Sequence, residues 1–272
     1  MLIIANNLTT RNRKVSIALR AALKGDSTAI QDASAFLSGL ARDCIAAGAN
    51  VMDINLQQRY DTPEAARLAL GLVQESANCQ LCLSCSNTET LEAALKICRR
   101  PPIVNYVSLD TSRLEKILPL VANYQAELIL LIADPMPPAT ADEALRRTAV
   151  LIGAANEAGI PNSRLLVDPG VLHITSSAGQ SHTRTLMELI PAIGEAFDPP
   201  VRTTCWVNNI SAGASRRLRP VINSAFLAML TGLGLSSAFL DMLDPQATRT
   251  VRLMSVFANN LIFSEGELER KG

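Results

Sequence analysis

The sequence predicts an α/β fold, a single (β/α)8 TIM barrel occupying residues 1–272. Three observations carry that expectation. Short β-rich runs alternate with longer stretches of helical periodicity, the alternation occurs eight times, and its period of about 30 residues fills the roughly 250 residues usual for such a barrel. An open doubly wound sheet would need a glycine-rich first turn, and Ala5-Asn6-Asn7-Leu8-Thr9 is not one. No linker rich in Pro, Gly or Ser divides the chain.

In chain order the strand runs are 2–5, 50–54, 80–84, 103–105, 127–132, 164–167, 203–207 and 238–240, each rich in β-branched or other apolar residues. The helical stretches fall near 29–48, 62–78, 88–98, 112–123, 140–158, 182–195, 218–233 and 246–262. Thr62-Pro63-Glu64 starts the second with an N-cap and a proline at the first helical position, and Ser112-x-x-Glu115 reads as a capping box for the fourth. Gly48 and Gly159 stand where helices should end before the next strand.

Composition bounds the function. The chain has 48% hydrophobic and 18% charged residues, with 25 Lys+Arg against 25 Asp+Glu. That excludes disorder and argues against a nucleic-acid partner, since the densest basic run, Ser215-Arg216-Arg217-Leu218-Arg219, is short. The longest apolar stretch, 128–133, is far below the ~20 residues of a membrane span, and the N-terminus lacks the basic start of a signal peptide. A soluble, cytoplasmic protein with its six cysteines reduced is therefore expected.

In such a barrel, chemistry sits at the C-terminal ends of the strands. Those ends carry Asn6, Asp53 and Asn55, Ser84 and Asn87, Asn105, Asp134, Asp168, Asn208 and Asn209, and Asp241. Amides offer donors and acceptors together and carboxylates offer acceptors, so this ring suits a flat heterocycle with alternating N–H and C=O edges. It suits a metal less well: four of these residues are carboxylates, and no His stands at a strand end with ligand spacing. A hydrolytic triad lacks support because both histidines, His173 and His182, follow strand six and no Gly-x-Ser-x-Gly elbow occurs.

Other conspicuous residues have ordinary readings. Cys79-x-x-Cys82-x-x-Cys85 resembles an iron–sulfur run, but on a strand Cys79 and Cys85 face one way and Cys82 the other, so buried core thiols are expected. Trp206 is expected in the core, and His182 at a helix start or, alternatively, at the mouth of the site.

The stretches Ala47-Gly48-Ala49-Asn50-Val51-Met52-Asp53-Ile54-Asn55, Leu165-Leu166-Val167-Asp168-Pro169 and Val207-Asn208-Asn209-Ile210-Ser211 resemble the pterin-binding barrels, a dihydropteroate-synthase-like fold. Met1-Leu2-Ile3-Ile4, Leu81-Cys82-Leu83-x-x-x-Asn87, Arg219-Pro220-Val221-Ile222-Asn223 and Asp241-x-x-Asp244 resemble its methyltetrahydrofolate:corrinoid-protein methyltransferase branch. The loop after strand one and the basic strand-eight motif of the dihydropteroate synthases are not visible.

The resemblance implies tetrahydrofolate or methyltetrahydrofolate as substrate, cobalamin carried by a separate corrinoid protein, and a homodimer. By matching, Asn105 and Asp168 hold the aminopyrimidine edge and Asn209 reaches N5, the nitrogen that gives up the methyl group. Asp53, Asn55, Ser84, Asn87, Asn208 and Asp241 complete the expected substrate-binding set, and His182 with residues 176–181 is expected to meet the partner.

Three departures stand out. Ser84 occupies the position of the family's strand-three aspartate, a loss of about 1.5–3 kcal/mol of pterin affinity unless a neighbour substitutes, so Ser84→Asp is expected to tighten folate binding. Strand one ends in Ala5-Asn6-Asn7-Leu8-Thr9 in place of a Gly-Glu-Arg-Ile-Asn-like run, and the 209–219 segment is slightly long. Alternatives to the methyltransferase are a pterin-site transferase with another pterin or acceptor, and a non-catalytic barrel that binds a corrinoid protein.

Overall fold

The structure is a computed structural model that describes residues 1–57, 59–133 and 136–269. Eight parallel strands close a barrel in sequence order: β1 (Leu2–Thr9), β2 (Val51–Asn55), β3 (Gln80–Ser84), β4 (Ile103–Val107), β5 (Glu127–Leu131), β6 (Leu165–Asp168), β7 (Arg202–Trp206) and β8 (Ser237–Leu240), which pairs back onto β1. Helices α1 (Arg13–Lys24) and α2 (Ser27–Ala46) follow β1. The later connections carry α3 (Pro63–Ser76), α4 (Thr88–Leu95), α5 (Thr111–Asn123), α6 (Ala141–Glu157), α7 (Ser177–Glu195), α8 (Arg219–Gly232), α9 (Pro245–Phe257) and the short α10 (Glu265–Glu269).

Residue parity along each strand sorts the side chains. Outward positions of the sheet and the apolar helix faces form one continuous layer, in which Ile54, Leu83, Leu130, Val167 and Leu240 are buried. Inside the barrel, Ile4, Val51, Cys82, Ile103, Ile129, Leu166 and Phe239 are fully buried, with Trp206 of β7 packed against them. Below this apolar plug lies a satisfied polar end, where Glu127 pairs with Arg202 and also accepts from Gln80 at 2.9 Å. Above it the inward positions turn polar: Asp53, Asn55, Ser84, Asn105 and Asp168. A side-chain period of two therefore stacks an inert floor, a dry plug and a polar mouth on the same strands.

The predicted Thr62 cap holds, with its Oγ1 accepting from the Ala65 amide and Pro63 at the helix start. Gly48 and Gly159 follow α2 and α6 with positive φ. The thiols divide as the strand pattern requires, Cys82 inside the barrel and Cys85 in the outer layer, with Cys79 packed against that layer.

Four expectations are corrected. The α1 helix is absent from the expected elements, although Val15, Ala18, Leu19 and Ala22 form its buried stripe and Asn12 caps it through the Lys14 amide; the basic residues Arg13, Lys14, Arg20 and Lys24 interrupt its apolar period. Ser112 is not the cap of α5: Asp110 is, accepting from the Ser112 amide and hydroxyl. Strand β1 runs on through an irregularity between Ala5 and Leu8, so Asn6 lies within it. Residues 177–181 are not a loop but the first turn of α7, capped by Ser176, and a Cβ at Gly179 would lie 1.8 Å from the His173 carbonyl oxygen.

Candidate functional site

The polar mouth is a cavity of about 480 Å³. Its wall includes Asn55, Asn105, Asp168, Asn208, Asn209 and Asp241 among the sequence-predicted residues. Asp134 lies outside the described residues.

On the β6 side, Asp168 is buried at the end of its strand. Its Oδ1 accepts from the Gly170 amide at 2.8 Å, and burial pushes the carboxyl up to about 7. Gly170 has φ +75, and a Cβ there would lie 2.3 Å from that of Ala133, so the turn that supplies this donor admits no larger residue without rearrangement. His182 supports the turn from behind: its Nε2 lies 3.0 Å from the Gly170 carbonyl oxygen, and burial lowers its pKa. With 6% of its surface exposed, His182 is a buried buttress and not the partner contact expected.

On the opposite side, β2, β3 and β4 carry a wired trio. Ser84 Oγ donates to Asp53 Oδ1 at 2.6 Å, and Asn105 Nδ2 donates to Ser84 Oγ at 2.8 Å. Asp53 is fully buried, and burial pushes it up to about 7 against the lowering effect of side-chain hydrogen bonds from Ser84, Cys82 and Asn55. Asn105 reaches the cavity, and its Oδ1 has no protein partner; neither does Asn55 Oδ1. Unpaired buried acceptors of this kind each cost about 1–3 kcal/mol and are relieved when a ligand donates to them.

Two expected wall residues therefore stand behind the wall. Asp53 and Ser84 reach the cavity only through Asn105, because the inward position of β2 that faces the cavity is Asn55. Asn87 is elsewhere: it is the exposed N-cap of α4, accepting from the Glu89 amide, and its own amide is held by Asp61.

The rim joins the two sides. Asn7 Nδ2 donates to Asp241 Oδ1 at 2.5 Å and Asn7 Oδ1 accepts from the Met242 amide, which locks the β1–β8 seam. Asn208 Oδ1 accepts from Asn223 at 3.3 Å, whereas Asn209 is exposed on the cavity wall in the 3-10 turn Val207–Ser211. Trp206 extends the core reading: it lines the cavity while its ring stacks on Phe239, centroids 4.2 Å apart and planes within 7°. Tyr106, Arg11 and Asn7 also line the cavity without having been singled out. For Asn7 the signal was present, since an amide at the β1 end stands beside the Asp241 carboxylate wherever the barrel closes in order.

Among the described residues there is no group of three His, Cys, Asp or Glu that could hold a metal, and no helix long and apolar enough to cross a membrane. A family model described as pterin binding enzyme matches residues 24–238. The chain belongs to the pterin-binding enzymes.

Two curated relatives and one solved structure bracket its place in the family. Methylcorrinoid:tetrahydrofolate methyltransferase of Eubacterium limosum is 26% identical over 211 residues, covering 76% of this chain and 74% of its own. Methionine synthase of Mycobacterium tuberculosis is 30% identical over 211 residues, 73% of this chain but 17% of that larger protein. The dihydropteroate synthase of Xanthomonas albilineans, solved with 4-aminobenzoic acid, superposes with a TM-score of 0.67 at 18% identity, over 97% of this chain and 94% of the other, a likeness of fold. In this pterin-binding barrel the cavity at the mouth is lined by the buried carboxylate Asp168, the amide residues Asn55 and Asn105, and Trp206.

Proposed function

We propose that the protein is a methyltransferase that moves the N5-methyl group between methyltetrahydrofolate and the cobalt of a corrinoid carried by a separate protein. The observation that carries this reading is Asp168: a buried carboxylate on the cavity wall, with one oxygen held by the Gly170 amide and burial holding its pKa near 7. Such a group is relieved by a ligand that brings adjacent N–H donors, as the aminopyrimidine edge of a folate does. The relationship to a methylcorrinoid:tetrahydrofolate methyltransferase supports the choice of folate and acceptor.

In this reading Asp168 accepts from the ring N–H and amino groups, the Asn105 carbonyl takes a further N–H, and Trp206 offers its face to the flat ring system. Asn209, exposed on the wall, hydrogen-bonds N5. When the C–N bond breaks, its electron pair stays on N5, which takes a proton, and the methyl carbon bonds to cobalt through the metal's own electron pair. An amide can donate to N5 or accept from N5–H, so Asn209 accompanies that change of protonation, stabilising tetrahydrofolate as the leaving group. The chain need provide no nucleophile, because the corrinoid brings it as a substrate. The partner docks over the open mouth, at the rim that carries Asn209.

The dihydropteroate synthase reading has the fold in its favour. Against it, Arg11 is the only cation on the described cavity wall, and β8, Ser237–Leu240, carries no basic residue and is followed by Asp241. Methyl transfer from methyltetrahydrofolate to cob(I)alamin, followed by the absorbance of the corrinoid, decides the matter. The wild type is expected to turn over, and Asn209→Ala to lose about a hundredfold or more in rate while binding folate within a few-fold of wild type. Folate binding without methyl transfer would favour a different acceptor or a non-catalytic barrel, and an Asn209→Ala protein with wild-type turnover would remove Asn209 from the mechanism.

A further inference from the structure

Ser84 looks like a loss when the strands are read singly, because a carboxylate is expected there. The geometry points to a different arrangement: we infer that Asp53 and Ser84 together are positioning residues that fix which end of the Asn105 amide is left for the ligand, and so make this position of the pterin site an acceptor that selects an N–H. The inference rests on the proposed pterin function and deepens it.

The logic is one of donors and acceptors. An ionised Asp53 can only accept, and Ser84 has one O–H, which lies 2.6 Å from Asp53 Oδ1 and is spent there. Only lone pairs then remain on Ser84 Oγ for its second neighbour, so Asn105 must offer its NH2, as the 2.8 Å contact from Nδ2 has it. The amide is thereby prevented from turning over, and Oδ1 is the end left without a protein partner. A carboxylate at position 84 would orient Asn105 in the same sense directly; here the charge stands one strand back, on β2, and the hydroxyl transmits its polarity. This accounts for an otherwise costly feature, a fully buried carboxylate that touches no part of the cavity.

The test is calorimetric titration with tetrahydrofolate at pH 8, beside thermal melting of the same variants. Asp53→Asn keeps the shape but allows either end of the 53 side chain to face Ser84, so the Asn105 amide is no longer oriented. Affinity is expected to fall about tenfold while the melting temperature holds or rises, because a buried charge has been removed. A residue with a merely structural role would not separate the two readouts in that direction. Exchanging the pair, Asp53→Ser with Ser84→Asp, returns the carboxylate to β3 and is expected to restore affinity to within about threefold of wild type. Wild-type affinity in Asp53→Asn, or an exchanged pair no better than Asp53→Ser alone, would overturn the inference. Should the wild type fail to bind tetrahydrofolate, the pterin reading falls, and the relay is still read in the free protein. Proton exchange of the Asn105 side-chain amide is then expected to be at least about tenfold faster in Ser84→Ala than in wild type or Ser84→Thr, and equal rates would refute it.

Discussion

Asp53 and Asp168 are a matched pair with opposite duties. Both are buried carboxylates on inward positions of the barrel, and burial pushes both to about 7 from the ordinary 3.8. Asp168 stands on the cavity wall with a backbone amide on one oxygen; Asp53 stands behind it, with Ser84 between. The β6 side of the mouth thus offers its charge to the ligand directly, whereas the β2–β4 side offers only the consequence of its charge, the orientation of an amide. Depth alone does not make a binding group. What separates the two is whether a strand's inward position lies level with the cavity or one step below it.

The comparison can be broken most sharply at Asp168. Asp168→Asn is expected to weaken tetrahydrofolate binding on the order of a hundredfold, since it removes charge-assisted hydrogen bonds, with little change in melting temperature. The same calorimetry on Asp53→Asn should show the smaller loss described above; equal losses would mean that both carboxylates face the ligand.

Ser84→Asp sharpens it from the other side. Sequence comparison alone suggests that this substitution repairs the site. With Asp53 Oδ1 only 2.6 Å from Ser84 Oγ, it instead sets two buried carboxylates side by side, and one must stay protonated. The expected outcome is a loss of about 3 kcal/mol in denaturant unfolding at pH 8, smaller at pH 6, with no gain in folate affinity. Tighter binding in a stable protein would show that the trio is not wired as described.

Protonation provides a third comparison. A carboxyl whose folded pKa is raised binds its proton more tightly in the folded chain, so its burial costs stability above pH 7, and that cost fades as pH falls toward 4. Ligand donors favour ionised Asp168, so its pKa falls on binding and a proton is released. Titrations at pH 6 in two buffers of different ionisation enthalpy are expected to show release approaching one proton, with affinity rising about fivefold from pH 6 to pH 7. Asp168→Asn should abolish most of that release and Asp53→Asn little of it.

The smallest effect is expected at Asn87. Asn87→Ala removes the cap of α4 and should cost about 1 kcal/mol of stability by denaturant titration, with folate binding unchanged.

Much of this molecule is legible in its sequence because the barrel is periodic. The strands and most helices follow from alternation and from caps such as Thr62, and Asp168, Asn105, Asn209 and Asp241 are found by asking what stands at a strand's end. What sequence cannot show is level. Asp53 and Asn55 are two residues apart on the same face of β2, yet one is behind the wall and the other on it, a matter of how strand stagger sets the cavity floor. Nor can it show substitution across strands: Ser84 taken alone is a missing carboxylate, and only the pairing of β2 with β3 brings Asp53 beside it. Asn87 misled because a helix cap and a ligand group are the same residue types. Trp206 belongs to both core and cavity, because its inward position on β7 is at the top of the plug, where the one becomes the other.

The central claim is that the polar mouth binds a folate. Isothermal titration calorimetry of the wild-type protein with methyltetrahydrofolate tests it most directly. The account predicts micromolar binding with a proton released at pH 6; no detectable heat of binding at either pH 6 or pH 8 would contradict it.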